Sequence, residues 1–243
     1  MTFIEENSLL SKYQAGFRNK NSCESALQTV LFDWKAALED EKIIGVVFLD
    51  FKRTFEAINR KLLLLELSKY GFGKAILKWF KDYLSGRMQI TKYIETSSER
   101  ESIHGVPQGT VLGPSLFILY INDIVKNVQN CKIQLFADDT ILYITGDSFN
   151  EIADIINSEL NNIYQWLNNN YLHLNVNKTK VMFIRNKNRL INNLNISINN
   201  ENLEIVNCFK YLGCIIDEHL NFSEHFKYIT NKMAKQFFVI ELK

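Results

Sequence analysis

Ile43-Ile44-Gly45-Val46-Val47-Phe48-Leu49 is a seven-residue run without one polar side chain, and Asp50 closes it. Half-exposed strands alternate apolar and polar residues. A run that is apolar throughout and rich in β-branched residues fits a strand covered on both faces. The chain is therefore expected to build a layered fold with this strand at its centre. Asp50 then falls where strand ends line clefts, or else caps the turn that follows.

A second pair of apolar runs brackets two more carboxylates. Ile133-Gln134-Leu135 precedes Phe136-Ala137-Asp138-Asp139, and Thr140-Ile141-Leu142-Tyr143-Ile144 follows. The pattern predicts a β-hairpin with the acidic pair at its tip, since only a tight turn aims two neighbouring side chains at one point. Converging carboxylates repel unless a cation lies between them, and a hard divalent ion such as magnesium prefers oxygen ligands. Asp is also a common turn residue, so an isolated pair fits a structural turn as well. With Asp50 as a third ligand, Asp138 and Asp139 supply a two-metal site. Its ions, about 3.5–4 Å apart, stabilise the attacking and leaving oxygens of a phosphoryl transfer. Phe55, five positions after Asp50, reads either as a core aromatic or as a ring against the sugar of an incoming nucleotide. In the second case a ribose 2′-hydroxyl clashes or loses its hydrogen-bond partner, at about 1–3 kcal/mol.

The chain has two prolines, and both lie in His104-Gly105-Val106-Pro107-Gln108-Gly109-Thr110-Val111-Leu112-Gly113-Pro114, with three of the ten glycines. So concentrated a set marks a specially shaped loop. Pro114 is expected in the first turn of an apolar helix, Ser115 to Ile121. The glycines let backbone approach a ligand closely, and Gln108 is placed to hydrogen-bond a nucleotide or template edge.

At 243 residues and 47% apolar content the chain can bury a real core. Met1 to Glu6 lacks the basic-then-apolar layout of a signal peptide. No apolar stretch approaches the length of a membrane span, so the expectation is an intracellular protein of nucleus or cytoplasm, neither secreted nor membrane-bound. Cys23, Cys131, Cys208 and Cys214 are scattered, as suits reduced thiols. Cys208 and Cys214 are spaced too widely for a zinc finger with His219 and His225. A net charge of +1 is modest for a nucleic-acid binder, but Phe51 to Lys92 holds ten Lys/Arg against three Asp/Glu. That asymmetry reads either as solvated helix faces or as a phosphate-facing surface. Expected elements are a helix over 23–39, a strand over 43–49, helices within 62–84 and strand-like 88–96. The cassette helix to Val125, the acidic hairpin and a helix over 149–169 follow. A strand over 180–185 and a hairpin over 211–216 complete the reading, after an asparagine-rich loop containing Asn192-Asn193 and Asn199-Asn200.

Together these segments resemble the reverse transcriptase of non-LTR (LINE-type) retrotransposons. Gln14-Ala15-Gly16-Phe17-Arg18 with Ser22 to Leu27 resembles that family's fingers motif. Phe48-Leu49-Asp50 with Phe55 resembles its first palm motif, and Leu62 to Leu84 with Arg87 and Gln89 the helical segment after it. Gly105 to Asp123 resembles the motif that touches nucleotide and template, and Phe136 to Asp139 the catalytic box. Leu174-Asn175 with Asn177-Lys178-Thr179 is similar to the motif whose lysine lies near the triphosphate, and Phe209 to Gly213 to the primer grip. Departures are few: Glu56 stands where the family commonly has Asp, and Lys52-Arg53 replaces a Ser-Lys type pair.

The resemblance implies an α+β fold, a right-hand polymerase palm of antiparallel sheet backed by helices, with helical fingers and a truncated thumb. Its expected parts are fingers over 1–42, palm over 43–60 and 105–216, a helical fingers insertion over 61–104, and the start of the thumb over 217–243, with His225, Lys232 and Lys235. It implies an RNA-directed DNA polymerase that takes an RNA template, a DNA primer and deoxynucleoside triphosphates. Asp50, Asp138 and Asp139 would be catalytic and hold two magnesium ions, or manganese in their place. Arg18, Phe55, Gln108, Gly109 and Lys178 would bind nucleotide or template, and Tyr211, Leu212 and Gly213 would form the primer grip. The family's endonuclease and most of its thumb lie outside the match. Rival readings are a catalytically inactive remnant or domesticated protein that binds nucleic acid, an RNA-dependent RNA polymerase, and a partner-binding protein. An RNA polymerase of this kind tends to carry a carboxylate where Phe55 stands.

Overall fold

Ile43–Leu49 is the middle strand of a five-stranded sheet, and all of its residues are buried. A computed structural model of the chain describes residues 2–93, 96–189 and 194–241. Its helices are α1 (Thr2–Glu6), α2 (Cys23–Glu39), α3 (Thr54–Ala57), α4 (Arg60–Lys69), α5 (Lys74–Leu84), α6 (Leu112–Ile121), α7 (Phe149–Asn169) and α8 (Ser223–Glu241). Its strands are β1 (Ile43–Leu49), β2 (Phe51–Lys52), β3 (Met88–Tyr93), β4 (Thr96–Glu101), β5 (Lys132–Phe136), β6 (Asp139–Gly146) and β7 (His173–Leu174). They continue with β8 (Lys180–Ile184), β9 (Ser197–Ile198), β10 (Glu201–Asn202), β11 (Glu204–Ile205), β12 (Cys208–Tyr211) and β13 (Cys214–Asp217).

The central order is β11-β8-β1-β6-β5. Neighbours run antiparallel except β8 and β11. Alternation along β1 divides the core in two. Ile44, Val46 and Phe48 meet Ile141, Tyr143, Met182 and Ile184 on one face, closed by Trp34 of α2 and Tyr211 and Ile216 of the β12–β13 hairpin. Ile43, Val47 and Leu49 face the other way, onto Phe117 of α6 and Ile152, Ile156 and Leu160 of α7. This two-sided cover is why β1 carries no polar residue.

Local chemistry sets the helix ends. Ser22 and Ser25 form a reciprocal capping box at the start of α2, and the Asn59 side chain accepts from Lys61 and Leu62 at the start of α4. Pro114 lies in the first turn of α6, which begins two residues earlier than expected, at Leu112. Glu159 of α7 is fully buried, and its carboxylate accepts the N–H groups of Gln129 and Asn130 at 2.6–3.1 Å. That charge is held by backbone donors rather than left bare.

The elements over 23–39, 43–49 and 149–169 end where the sequence places them. The cassette helix instead tightens into a 3-10 turn over Asn122–Asn127. Asn122 is drawn into three long-range bonds, from Ser11 N–H and to Leu9 O and the Tyr70 hydroxyl. The stretch from Met88 is one arm of a hairpin, β3 with β4. Ile94, Glu95 and Asn192-Asn193 lie outside the described residues, as does the Lys235 side chain. Among the described residues no helix is long and apolar enough to cross a membrane.

Gly45 interrupts the β-branched run because α7 crosses there. A Cβ at Gly45 would lie 2.4 Å from Ile152 Cγ2 and 2.8 Å from Ile156 Cδ1. Gly45→Ala should destabilise the chain by about 1–3 kcal/mol through overpacking, read as a lower midpoint in urea at unchanged slope.

Candidate active site

Phe136 pairs with Asp139, so Ala137 and Asp138 are the two residues of the β5–β6 turn. Asp138 stands at the tip, and Asp139 is the first residue of β6. The β1–β6 register runs to Leu49 opposite Thr140, and one step further sets Asp50 beside Asp139. Three carboxylates thus lie near one end of the sheet: Asp50 just past the end of β1, Asp139 at the start of β6 and Asp138 on the β5–β6 turn. Desolvation, then the charges of Asp138 and Asp50, raises the Asp139 carboxyl above its ordinary pKa. Among the described residues no group of three or more His, Cys, Asp or Glu side chains is gathered closely enough to hold a metal ion. The acids are near enough to repel one another, yet their oxygens do not converge on one point. An all-oxygen donor set under mutual repulsion suits a hard divalent cation.

The segment after α7 fixes Asp50 from the side. Asp50 N–H donates to Thr179 Oγ1 at 3.2 Å, and Asn175 N–H donates to Asp50 O at 2.7 Å. β2 pairs with β7 just beyond. These bonds bring Lys178 to the wall of an open cleft of about 680 Å³ that it shares with Asp50, Lys52, Arg53 and Asn175. Lys178 is solvent-exposed. Three cations and two carboxylates, Asp50 and Glu56, line this cleft, with Arg53 3.9 Å from Glu56.

A second depression, of about 250 Å³, is lined by Phe55, Pro107, Gln108, Gly109, Gly113 and Pro114. Short helix α3 separates the two, giving Phe55 to one and Glu56 to the other. Phe55 leans on Phe117, with ring centroids 4.9 Å apart. Its carbonyl accepts Val106 N–H at 2.9 Å, and Gly105 N–H donates to Ile58 O at 2.8 Å. Gly105 has φ +78°, and a Cβ there would lie 2.7 Å from Phe55 O, so this crossing of two backbones admits only glycine. Arg60 ties the loop down by donating to the carbonyls of Ser102, His104 and Gly105.

The β12–β13 loop, Leu212 and Gly213, has positive φ at both residues, the hairpin geometry that keeps the twist of its strands. Gly213 is exposed, whereas Tyr211 points into the core. Burial, then the charge of Asp139, pushes the Tyr211 hydroxyl pKa upward. Phe209 stacks on Phe48 at 4.1 Å, which docks the hairpin on the strand that carries Asp50. Arg18 does not reach the cleft. Its guanidinium donates to Glu5 at 2.9 and 2.6 Å and to the carbonyls of Ser11 and Gln14. Sequence reading gave Arg60 and Thr179 no role of their own, since what they do depends on partners 42 and 129 positions away.

Residues 2–216 match the family model described as "Reverse transcriptase (RNA-dependent DNA polymerase)". Among curated proteins, the chain is 25% identical to a "Probable RNA-directed DNA polymerase from transposon X-element" of Drosophila melanogaster, over 99% of this chain and 27% of that protein. It is 26% identical to the "RNA-directed DNA polymerase from mobile element jockey" of the same species, over 95% of this chain and 25% of that protein. The chain thus spans about a quarter of the length of these relatives. Among solved structures, apo telomerase from Candida tropicalis superposes with a TM-score of 0.61 at 12% identity, over 91% of this chain and 43% of the telomerase. The fold is the α+β right-hand polymerase fold.

A carboxyl whose pKa is raised on folding favours the native state at low pH and opposes it once both states ionise. Without divalent cations, Asp139→Asn should therefore be more stable than the parent at pH 7. The difference should close as the pH falls through the raised value toward 3.8, the ordinary Asp value. Urea melts across that range check it.

Proposed function

Because the chain belongs to the reverse transcriptase (RNA-dependent DNA polymerase) family, we propose that it is the polymerase core of a longer, retrotransposon-derived protein that copies an RNA template into DNA. The observation that carries this reading is the β1–β6 register, which ends at Leu49 opposite Thr140 and so sets Asp50 next to Asp139, with Asp138 on the adjoining β5–β6 turn. Residues 43–60 and 105–216 would form the palm, 1–42 and 61–104 the fingers, and 217–243 the start of the thumb.

Asp50 and Asp138 would hold two magnesium ions, or manganese, with Asp139 assisting. When bound, such ions supply a more acidic primer 3′-hydroxyl and offset the charge of the triphosphate and departing pyrophosphate. The protein's own groups do the rest by position. Lys52, Arg53 and Lys178 line the Asp50 cleft and would hold the triphosphate, with Lys178 donating to the leaving pyrophosphate oxygens. Phe55 would press on the nucleotide sugar from the floor of the neighbouring depression, where Gln108 and Gly109 present polar edges and open backbone to the base or template. A 2′-hydroxyl against the Phe55 ring has no partner there, which favours deoxynucleotides. Leu212 and Gly213, docked on β1 through Phe209, would underlie the primer end, and Tyr211 would support them from the core.

Primer extension on an RNA template tests this reading. Metal-dependent DNA synthesis is expected from the chain, and Asp138→Asn should reduce its rate about a thousandfold or more with an unchanged circular dichroism spectrum. Equal rates would contradict the catalytic assignment. In the same assay Phe55→Val should raise ribonucleotide incorporation relative to deoxynucleotide by about 5- to 150-fold, the equivalent of 1–3 kcal/mol. Unchanged sugar selection would remove the gate.

A further inference from the structure

Residues 11–18 cross the end of the sheet alongside β5. Gln14 makes a parallel bridge to Leu135. Ala15 N–H donates to Leu135 O at 2.8 Å, and Leu135 N–H donates to Tyr13 O at 2.8 Å. Beyond Leu135 a side chain takes over from the backbone. Gln14 Oε1 accepts the N–H of Ala137 at 3.0 Å and that of Gly16 at 2.8 Å. Gln14 is 1% exposed, and its Nε2 has no partner among the described residues. One buried amide thus satisfies two backbone donors and leaves the two N–H donors of its own amino group unpaired, a state that costs about 1–3 kcal/mol or more.

The Ala137 N–H is a demanding place for such a bond. Ala137 has φ +57°, a left-handed conformation that costs a non-glycine residue about 1–2 kcal/mol. Strain of this kind persists only where the surroundings over-determine it. Gly16 supplies the second constraint. A Cβ at Gly16 would lie 2.2 Å from Ala137 N and 2.8 Å from Phe136 C, backbone atoms that cannot rotate away. Arg18 fixes Gln14 in turn by donating to Gln14 O at 3.1 Å and Ser11 O at 2.9 Å, while Glu5 grips its other edge. The bond from Arg18 holds the Glu5 carboxyl below the usual carboxylate range.

We infer that Gln14 is a positioning residue: its amide oxygen fixes the Phe136–Ala137 peptide, one residue before Asp138, and so sets where that carboxylate stands relative to Asp50 and Asp139. The Arg18–Glu5 pair acts through Gln14, whose carbonyl Arg18 holds. This rests on the polymerase reading above for its consequence in catalysis, although the clamp itself is a property of the fold. Displacing a reacting group by about 1 Å costs roughly a hundredfold in rate, so loosening the turn should act on rate more than on nucleotide affinity.

The test compares Gln14→Met, which fills the space without an acceptor, with Gln14→Glu, which keeps one, and with Arg18→Met, which leaves the turn untouched. Hydrogen exchange at the Ala137 amide is followed by NMR, beside single-nucleotide extension and thermal melting. Gln14→Met should speed Ala137 exchange by about tenfold or more and lower kcat by roughly 10- to 100-fold, with the KM for deoxynucleotide within about twofold. Gln14→Glu should restore most of both, and Arg18→Met should move both the same way by less. If Gln14→Met does not fold, the last two variants decide. Unchanged exchange and kcat, or exchange that rises across the whole sheet with kcat tracking the folded fraction, would overturn the inference. Exchange requires no polymerisation. An inactive parent would therefore defeat the polymerase reading while the Ala137 amide still decides the clamp.

Discussion

The placement of the three candidate acids hangs on the antiparallel register of β1 against β6. A slip of one residue would turn Asp50 and Asp139 to opposite faces and bury polar groups in both halves of the core. The register is held because Phe48 against Ile141 and Val47 against Leu142 commit both faces to packing. Hydrophobic burial therefore decides where three acids stand, and the acids themselves oppose that arrangement. Asp139, lifted above its usual pKa by desolvation and by its two acidic neighbours, records that opposition. A core this committed tolerates a repulsive edge, and a repulsive edge of oxygens is what a hard cation relieves.

The supports of that edge come from separate parts of the chain. Asp50 is pinned by the Asn175–Thr179 segment, the Ala137 peptide by Gln14, and the Phe55 carbonyl by Val106. Each pin is a hydrogen bond to backbone at or beside a candidate site residue, not to that residue's side chain. The carboxylates and the ring stay free to meet ligands while the main chain beneath them is held. Gly16 and Gly105 serve the same end, since each lets two backbones approach where a Cβ would meet main-chain atoms.

Much of the fold could be read directly from residue patterns. The apolar run at 43–49 and the amphipathic spacing of 149–169 give β1 and α7 their observed limits, because burial on defined faces is a local signal in the sequence. The acidic hairpin was legible as a motif, as were Phe55 beside Asp50 and Gln108-Gly109 within the proline-glycine cassette, although only the fold puts these last two in one depression. What was not legible depends on partners far along the chain. Arg18 reads as a nucleotide- or template-binding residue, and nothing local in the sequence shows that Glu5 holds it. Nothing in the sequence pairs Gln14 with Ala137, 123 positions away. The same holds for the end of α6, which Asn122 decides by bonding Ser11, Leu9 and Tyr70 rather than by its own propensity.

The chain spans about a quarter of its curated relatives, yet the acidic edge, the Lys178 cleft and the Phe55 depression all lie within it. The most direct test of the central claim is manganese titrated into the 15N-labelled chain, read as paramagnetic broadening of backbone amides. Broadening centred on residues 49–52 and 136–140, and absent from Asp138→Asn, is the expected result. Broadening centred instead on other carboxylates, such as Asp147, Glu151 and Asp154 around the start of α7, or none at millimolar manganese, would contradict the claim that these three carboxylates form one cation-binding edge.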